Sequence, residues 1–306
     1  MQHERSPIIT LWENPAWVIL LSFLAFSFFM GVGSVLAAQV SALLGVDIMA
    51  VLSGESEIAL GPEERQAIRW ANMVSHLIIF TLTSVLMAGL IKDRGTLANF
   101  FRLDRFPGGI LLGWAILTLL LGLPGIQLIN WLNLQIPLPE TLQLLENQQG
   151  SQLQVLIQME SLREFLTTFL IAAIVPAVGE ELFFRGLLQP QFQKWFSSPI
   201  VAIWCTAFLF SAVHMQFAGF FPRFMLGAFL GYLLYWSGSL WLPILAHLVF
   251  NGLQIAVSYW KPDLFEEAEE VVFGWTEAGI GLVSLALVFL LLPKIRDAGW
   301  RTTDLV

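Results

Sequence analysis

Charged residues are scarce in this sequence. Asp, Glu, Lys and Arg make up 12% of its 306 residues, whereas an average soluble domain has about 25%. Hydrophobic residues make up 57%, and the mean hydropathy is +0.73. So little charge excludes an ordinary soluble enzyme, a disordered tail and a fibrous repeat, and the continuous apolar stretches argue against a membrane β-barrel. The sequence therefore predicts an all-α polytopic membrane protein, with residues 1–306 forming a single membrane domain.

Basic residues and cysteines are also few. The net charge is −8 and no basic stripe is available to neutralise phosphates, so we predict that the protein binds no nucleic acid. Cys205 is the single cysteine, which excludes an intramolecular disulfide bond. It lies within an apolar run, where a small buried hydrophobic side chain is the expected role.

Long apolar runs are plentiful, and each approaches the roughly 20 residues that a helix needs to cross a bilayer. Tryptophans such as Trp70 and Trp260 lie near the ends of the runs, as in an interfacial belt. Gly227 and Gly231, in GxxxG spacing, predict a close helix contact, and Pro124 predicts a kink. We predict a bundle of about eight transmembrane helices, at 17–43, 70–91, 108–132, 165–188, 199–217, 220–236, 240–260 and 274–292.

The positions of Lys and Arg predict the orientation, because these residues are enriched in cytoplasmic loops. With the N-terminus inside, nine of the 15 lie in inner segments and Arg185 lies within a span. Acidic clusters at 55–64 and 266–270 fall on the outer side. Both termini are therefore predicted to be cytoplasmic, and the first run is too long and too acidic at its start for a cleaved signal peptide. The outer Lys and Arg residues are Arg65, Arg69, Arg163, Arg223 and Lys261.

Two long outer segments separate the early spans. Residues 44–69 include Pro62, which is followed by two glutamates and is typical of the first position of a helix. Residues 133–164 are rich in Gln and Leu, with Gly150 between two amphipathic pieces. We predict helices lying at the membrane surface in these segments.

Ionisable residues within the predicted spans are costly, and each favours a functional hypothesis. Most of them lie in the second half of the chain, where Asn251 follows one histidine by a helical turn. His76 has no ionisable partner at helical spacing, so we predict that it makes an interhelical hydrogen bond or lines a cavity. The ionisable residues are His76, Glu180, Glu181, Arg185, His214 and His247.

The fourth predicted span contains two adjacent glutamates for which we expect different roles. Glu181 and Arg185 share one helix face, so they can form a buried ion pair. Glu180 is offset by about 100° and has no cation on its own helix. Such a carboxylate suits a general base that takes a proton from water. The alternative is a purely structural ionic cluster that fixes helix packing.

Two histidines and an amide follow on later spans. His214 ends a Phe210-x-x-x-His214 motif, and His247 and Asn251 share one helix face. These groups can donate hydrogen bonds to an oxyanion, or the imidazoles can bind a metal. His214 falls near the outer end of its predicted span while Glu180 lies nearer the inner face. These residues can come together only if the fifth span is tilted or begins earlier than residue 199. We expect a site that lies within the membrane and opens inward.

The three motifs together resemble those of the type II CAAX prenyl endopeptidase family, the CAAX protease and bacteriocin-processing (CPBP) intramembrane proteases. The resemblance covers residues 165–255, which would be the catalytic core, and is closest to prokaryotic members. It implies that Glu181 and Arg185 hold the first motif in shape. The motifs are Glu180-Glu181-x-x-x-Arg185, Phe210-x-x-x-His214 and His247-x-x-x-Asn251.

The resemblance also implies catalytic roles. Glu180 would activate the attacking water with help from His214, and His247 and Asn251 would stabilise the oxyanion. Glu180, His214 and His247 would be the ligands if the enzyme used zinc, and the same groups suffice without a metal. We favour no tightly bound metal.

The predicted function is therefore that of an intramembrane endopeptidase, with CAAX-type C-terminal processing as one form of the activity. Its partners would be a peptide or protein substrate and the lipid bilayer, and its location the inner (plasma) membrane of a prokaryote. A non-catalytic scaffold or immunity protein and a proton-coupled transporter are the alternatives. The sequence shows no inverted repeat typical of transporters, and neither an HExxH nor a GxSG motif.

Overall fold

A computed structural model of the protein describes residues 12–46, 60–91, 95–262 and 273–299. These residues form an all-α structure, and no strand occurs in the described ranges. The predicted fold class is thereby confirmed. The helices are α1 (Pro15–Leu43), α2 (Pro62–Ile91), α3 (Leu97–Phe100), α4 (Gly109–Leu134), α5 (Glu140–Ile157), α6 (Leu162–Phe196), α7 (Pro199–Ala212), α8 (Phe220–Ser237), α9 (Trp241–Trp260) and α10 (Trp275–Ala298).

Six of the helices in the described ranges, namely α1, α2, α4, α6, α9 and α10, are long and apolar enough to cross a membrane. The other two predicted spans are helical too, but α7 has only 14 residues, and α8 has 18 and includes Arg223. The number of eight crossings and the cytoplasmic position of both termini stay predictions. The acidic stretch 266–270 lies outside the described residues.

Two helices extend beyond the predicted spans. α2 begins at Pro62, as its first-turn proline predicts, and continues to Ile91, so residues 62–69 are helical. α6 covers Leu162–Phe196 rather than 165–188. Ser161 caps its start by accepting a hydrogen bond from the backbone N–H of Glu164.

The surface segment after α4 also differs from its prediction. Gly150 does not divide it into two pieces, because α5 runs without a break from Glu140 to Ile157. One unfavourable glycine in a helix costs only about 1 kcal/mol, and the neighbouring Gln and Leu residues are good helix formers. The segment is therefore one helix.

Two of the long helices contain π-helical turns, in which hydrogen bonds span five residues. α2 has such a turn at Leu77–Leu82, directly after His76. α6 has two, at Leu170–Ile174 and at Leu182–Leu188, and the second begins directly after Glu181. Single π-helical turns are rare and frequently mark functional sites.

α6 lies at the centre of the bundle. Its apolar window is 56% buried, compared with 17–39% in the other five long helices. Phe183 packs on Phe26 of α1 with a centroid separation of 4.9 Å, and Phe184 packs on Phe210 of α7 at 5.2 Å. More than half of the residues in the apolar window of α6 are therefore covered by neighbouring helices.

α8 packs closely on α7 at the predicted small-residue contact. A Cβ atom at Gly227 would lie 3.2 Å from the Cα of Ala207, and one at Gly231 would lie 3.0 Å from the side chain of Ile203. This approach brings the backbone of α8 within reach of side chains on α6.

Candidate active site

Glu180 is the central carboxylate of the site, and its side chain is 8% exposed. Its Oε1 atom accepts a hydrogen bond of 3.1 Å from Nε2 of His76, which lies on α2. Its Oε2 atom lies 4.0 Å from Nε2 of His247 on α9. This separation is too long for a direct hydrogen bond but allows one water molecule to contact both atoms.

Glu181 occupies a different environment, although it is the next residue. Its Oε1 atom accepts hydrogen bonds from Nη1 of Arg185 at 2.7 Å and from Nδ1 of His247 at 2.9 Å. The side chains of Glu181 and Arg185 are fully buried, and the predicted ion pair is present. Glu181 therefore neutralises the buried arginine and orients one imidazole ring.

Arg185 is held by three kinds of contact. Besides Glu181, its Nη2 atom donates to the backbone carbonyl of Gly227 at 2.9 Å. Its guanidinium carbon lies 4.5 Å from the centroid of the Phe210 ring, a cation–π distance. One turn further along α6, Gln189 donates to the carbonyl of Gly231. The GxxxG face of α8 thus anchors the first motif through its carbonyl groups.

His214 lies just beyond the end of α7, and its Nδ1 atom donates a hydrogen bond of 2.7 Å to the carbonyl of Phe210. Because a carbonyl only accepts, Nδ1 carries the proton and Nε2 of a neutral ring is left as an acceptor. His214 interacts electrostatically with Glu180. α7 rises only about 21 Å over its 14 residues, which is less than the roughly 30 Å of a bilayer core. α7 begins at Pro199, as predicted, and His214 nevertheless comes close enough to Glu180 to interact with it.

Asn251 lies one turn along α9 from His247, as predicted. Its Nδ2 atom donates a hydrogen bond of 3.3 Å to the carbonyl of Ala172, in the first π-helical turn of α6. A primary amide has two N–H donors, so this bond orients the side chain and leaves a second donor.

The loop between α7 and α8 is fixed by residues that the sequence analysis did not single out. Glu146 of α5 accepts hydrogen bonds from the backbone N–H groups of Phe217 at 2.8 Å and Ala218 at 3.3 Å. Asn133 of α4 donates to the carbonyls of the same two residues. The only sequence signal was an acidic residue within a segment rich in Gln and Leu. These bonds hold the loop that follows His214.

His76 is the other residue whose role the sequence did not define. Its predicted interhelical hydrogen bond is present, and the partner is Glu180. The two residues are 104 positions apart, and helical spacing relates only residues of one helix, so the pairing left no pattern in the sequence.

Metal binding at this site stays a prediction. Within the described ranges, no group of three His, Cys, Asp or Glu side chains is found that could hold one ion together. Glu180, His214 and His247 are the side chains that would hold zinc if the enzyme used it.

Two cavities in the described part of the chain lie outside the site. A cavity of about 460 Å³ is lined by apolar residues of α4, α8 and α10. A second, of about 540 Å³, lies between α5 and the loop after α7, with Glu146 and Phe217 in its wall. Glu180 lines neither of them.

Residues 162–253 match the family model described as type II CAAX prenyl endopeptidase Rce1-like. No curated protein and no solved structure gave a match. The matched segment runs from the start of α6 into α9 and contains all three motifs. The resemblance drawn from the motifs is confirmed, whereas His76, Asn133 and Glu146 lie outside the matched residues.

Proposed function

We propose that this protein is an endopeptidase in which Glu180 activates water. The premise is the match of residues 162–253 to the type II CAAX prenyl endopeptidase Rce1-like family model. The family match supports a CAAX-type intramembrane protease acting on a protein or peptide at the membrane. Within the single membrane domain, residues 165–255 would form the catalytic core. The inner membrane of a prokaryote is the location we propose.

The observation that carries this mechanism is the contrast between two adjacent buried carboxylates. Glu181 is bound to Arg185 and His247 through one oxygen. Oε2 of Glu181 has no donor within the described ranges, but this carboxylate is fully buried and neutralised by Arg185. Oε1 of Glu180 is held by His76, and among the described residues no Lys or Arg pairs with this carboxylate, whose side chain is 8% exposed. Oε2 of Glu180 is not neutralised by an arginine and lies 4.0 Å from Nε2 of His247, so it is the oxygen that can bind and deprotonate water.

The first step is attack by that water. We place it between Oε2 of Glu180 and Nε2 of His214, the unprotonated nitrogen of the ring. As the water oxygen bonds to the scissile carbonyl carbon, one proton moves to Glu180 and the carbonyl oxygen becomes an oxyanion. The C–N bond then breaks, and Glu180 delivers the proton to the leaving amine.

The second requirement is stabilisation of the oxyanion. Asn251 has a free N–H after its bond to Ala172, and His247 can donate from Nε2 when both ring nitrogens carry protons. Glu181, at Nδ1, stabilises that imidazolium and fixes its orientation. One donor of this kind contributes about 10²–10³ in rate.

The direct test is a comparison of peptide termini. Wild type and Glu180→Gln are expressed at equal levels in matched membranes, and new C-termini are identified by mass spectrometry. We expect termini that appear with the wild type and disappear with the variant. Their sequences, and any prenyl group on the cleaved proteins, would identify the substrate class.

Glu140→Gln provides the matched control, because Glu140 is an exposed acid at the start of α5. It should yield the wild-type termini. If neither the wild type nor this control produces termini beyond those of membranes lacking the protein, the peptidase proposal fails in favour of a scaffold or transporter.

A further inference from the structure

We infer that His76 of α2 is a positioning residue for Glu180: it binds Oε1 and thereby presents Oε2 as the reacting oxygen. This inference rests on the proposed function for its catalytic meaning, but the contact itself is independent of it. His76 lies outside the segment that matches the family model. The site would therefore include a residue from the first half of the chain.

The donor of this hydrogen bond follows from the chemistry of its partner. An ionised carboxylate can only accept, so Nε2 of His76 carries the proton that it donates to Oε1 of Glu180 over 3.1 Å. Nδ1 of His76 is buried and has no hydrogen-bond partner among the described residues. A buried polar atom without a partner costs stability. An apolar ring would fill the same space without that cost, so packing alone does not account for an imidazole.

Two local features hold the imidazole in place. The His76 ring stacks on Phe80 with a centroid separation of 4.5 Å and an angle of 28°. The π-helical turn at Leu77–Leu82 begins directly after His76 and widens the helix between the two stacked rings. Both features restrict the direction in which Nε2 points.

Gly179 makes the close approach of α2 and α6 possible. A Cβ atom there would lie 2.9 Å from Oγ1 of Thr81 and 3.2 Å from Cε1 of His76. A larger residue would push the imidazole away from the carboxylate that follows it in sequence. The contact between Glu180 and α2 therefore depends on Gly179 as well as on His76.

The bond from His76 determines which carboxylate oxygen of Glu180 faces the reacting water. Without a donor on Oε1, the carboxylate of Glu180 could rotate and present either oxygen to water or to His247. The bond from His76 leaves Oε2 on the side of His247, 4.0 Å from its Nε2 atom. His76 stabilises the anion by donating a hydrogen bond to Oε1, which leaves Oε2 available to water.

Two substitutions separate this role from packing. His76→Phe keeps an aromatic ring against Phe80 but has no donor, whereas His76→Gln keeps a donor at similar reach but loses the ring. If His76 positions Glu180, His76→Phe lowers kcat by roughly 10- to 100-fold with KM unchanged, and His76→Gln recovers most of it. If His76 only packs, the order of the two variants reverses and the inference is overturned.

A second measurement does not depend on activity. The infrared carboxylate bands of Glu180 are those that the wild type shows and Glu180→Gln lacks. We expect His76→Phe to shift these bands and His76→Gln to leave them near the wild-type position. Unshifted bands in a folded His76→Phe protein would overturn the inference even if peptidase activity is established. If the bands shift but the protein cleaves no peptide, the contact between His76 and Glu180 is supported and the proposed peptidase function is not.

Discussion

Two buried ionic clusters connect α6 to its neighbours, and they use their carboxylates differently. Near the start of α6, Glu164 accepts from Nε of Arg65 at 3.0 Å and from Nη1 of Arg69 at 2.9 Å on one oxygen. Its second oxygen accepts from Arg65 at 3.2 Å and from the backbone of Glu160 at 2.9 Å. Both oxygens of Glu164 are fully used.

The second cluster, around Glu180 and Glu181, is only partly neutralised. It has two carboxylates but a single fixed cation, Arg185, and its remaining partners are histidines. Histidine can gain or lose a proton near neutral pH, whereas arginine cannot. The first cluster therefore acts as a clamp between helices, and the second is able to move protons.

The largest effect on activity is expected for Glu180→Gln. Loss of the general base should lower kcat by about 10²–10⁴-fold, while the thermal midpoint stays near that of the wild type because the amide keeps the shape of the side chain. Turnover and melting curves of the purified protein check this. A variant with wild-type turnover would show that Glu180 is not the base.

Arg185→Met should have the largest effect on stability. It leaves Glu181 buried without its cation, which costs about 3–5 kcal/mol, and it removes the bond to the carbonyl of Gly227. Unfolding in denaturant measures the loss. The double variant Glu181→Gln/Arg185→Met should be more stable than Arg185→Met, and an equally unstable double variant would contradict the pairing.

Glu164→Gln tests the clamp in the other cluster. Arg65 and Arg69 would lose their shared buried anion, so we expect a loss of up to about 3 kcal/mol. Turnover per folded molecule should not change, in contrast to Glu180→Gln. A large fall in kcat without a fall in stability would remove the distinction between the two clusters.

Asn251→Ala should lower kcat by about 10²-fold with little change in KM, because it removes one donor to the oxyanion. Asn251→Asp, of similar size but with an anionic side chain, should be at least as inactive. Steady-state kinetics on a substrate identified from the peptide termini measure both. If both variants raised KM and left kcat unchanged, Asn251 would instead be a substrate-binding residue.

The smallest effect is expected for Glu146→Gln, which keeps an acceptor for Phe217 and Ala218 but removes its charge. Charged acceptors form hydrogen bonds roughly twice as strong as neutral ones, so the loop after His214 should loosen and kcat should fall by a few-fold. Glu140→Gln in the same helix is the control. Equal activity of the two variants would show that α5 does not act on the site.

The sequence predicted most of the groups in the site but not all of their contacts. Glu181 and Arg185 were paired correctly because one turn of helix relates them. The three motifs were recognised as one family pattern, which the match over 162–253 confirms. The contacts of His76 and Glu146 could not be predicted because their partners lie 104 and 71 residues away along the chain.

Helix ends were predicted less well than helix positions. The span predicted at 165–188 is part of a helix that begins at Leu162 and ends at Phe196. Hydrophobicity marks the part of a helix that suits lipid, whereas the helix itself continues as long as its backbone groups stay bonded. The polar turns of α6 at both ends carried no apolar signal.

The amino-acid sequence by itself determined that this protein is all-α and suited to the membrane, because so few charges cannot cover a soluble surface. It also determined which side chains share a helix face, since helical periodicity is a local property. Only the tertiary structure decided that Glu180 meets His76 and that His247 joins the pair of Glu181 and Arg185. Hydrogen bonds act over about 3 Å, and such distances between helices are set by packing, at positions such as Gly179 where the absence of a side chain lets two backbones approach.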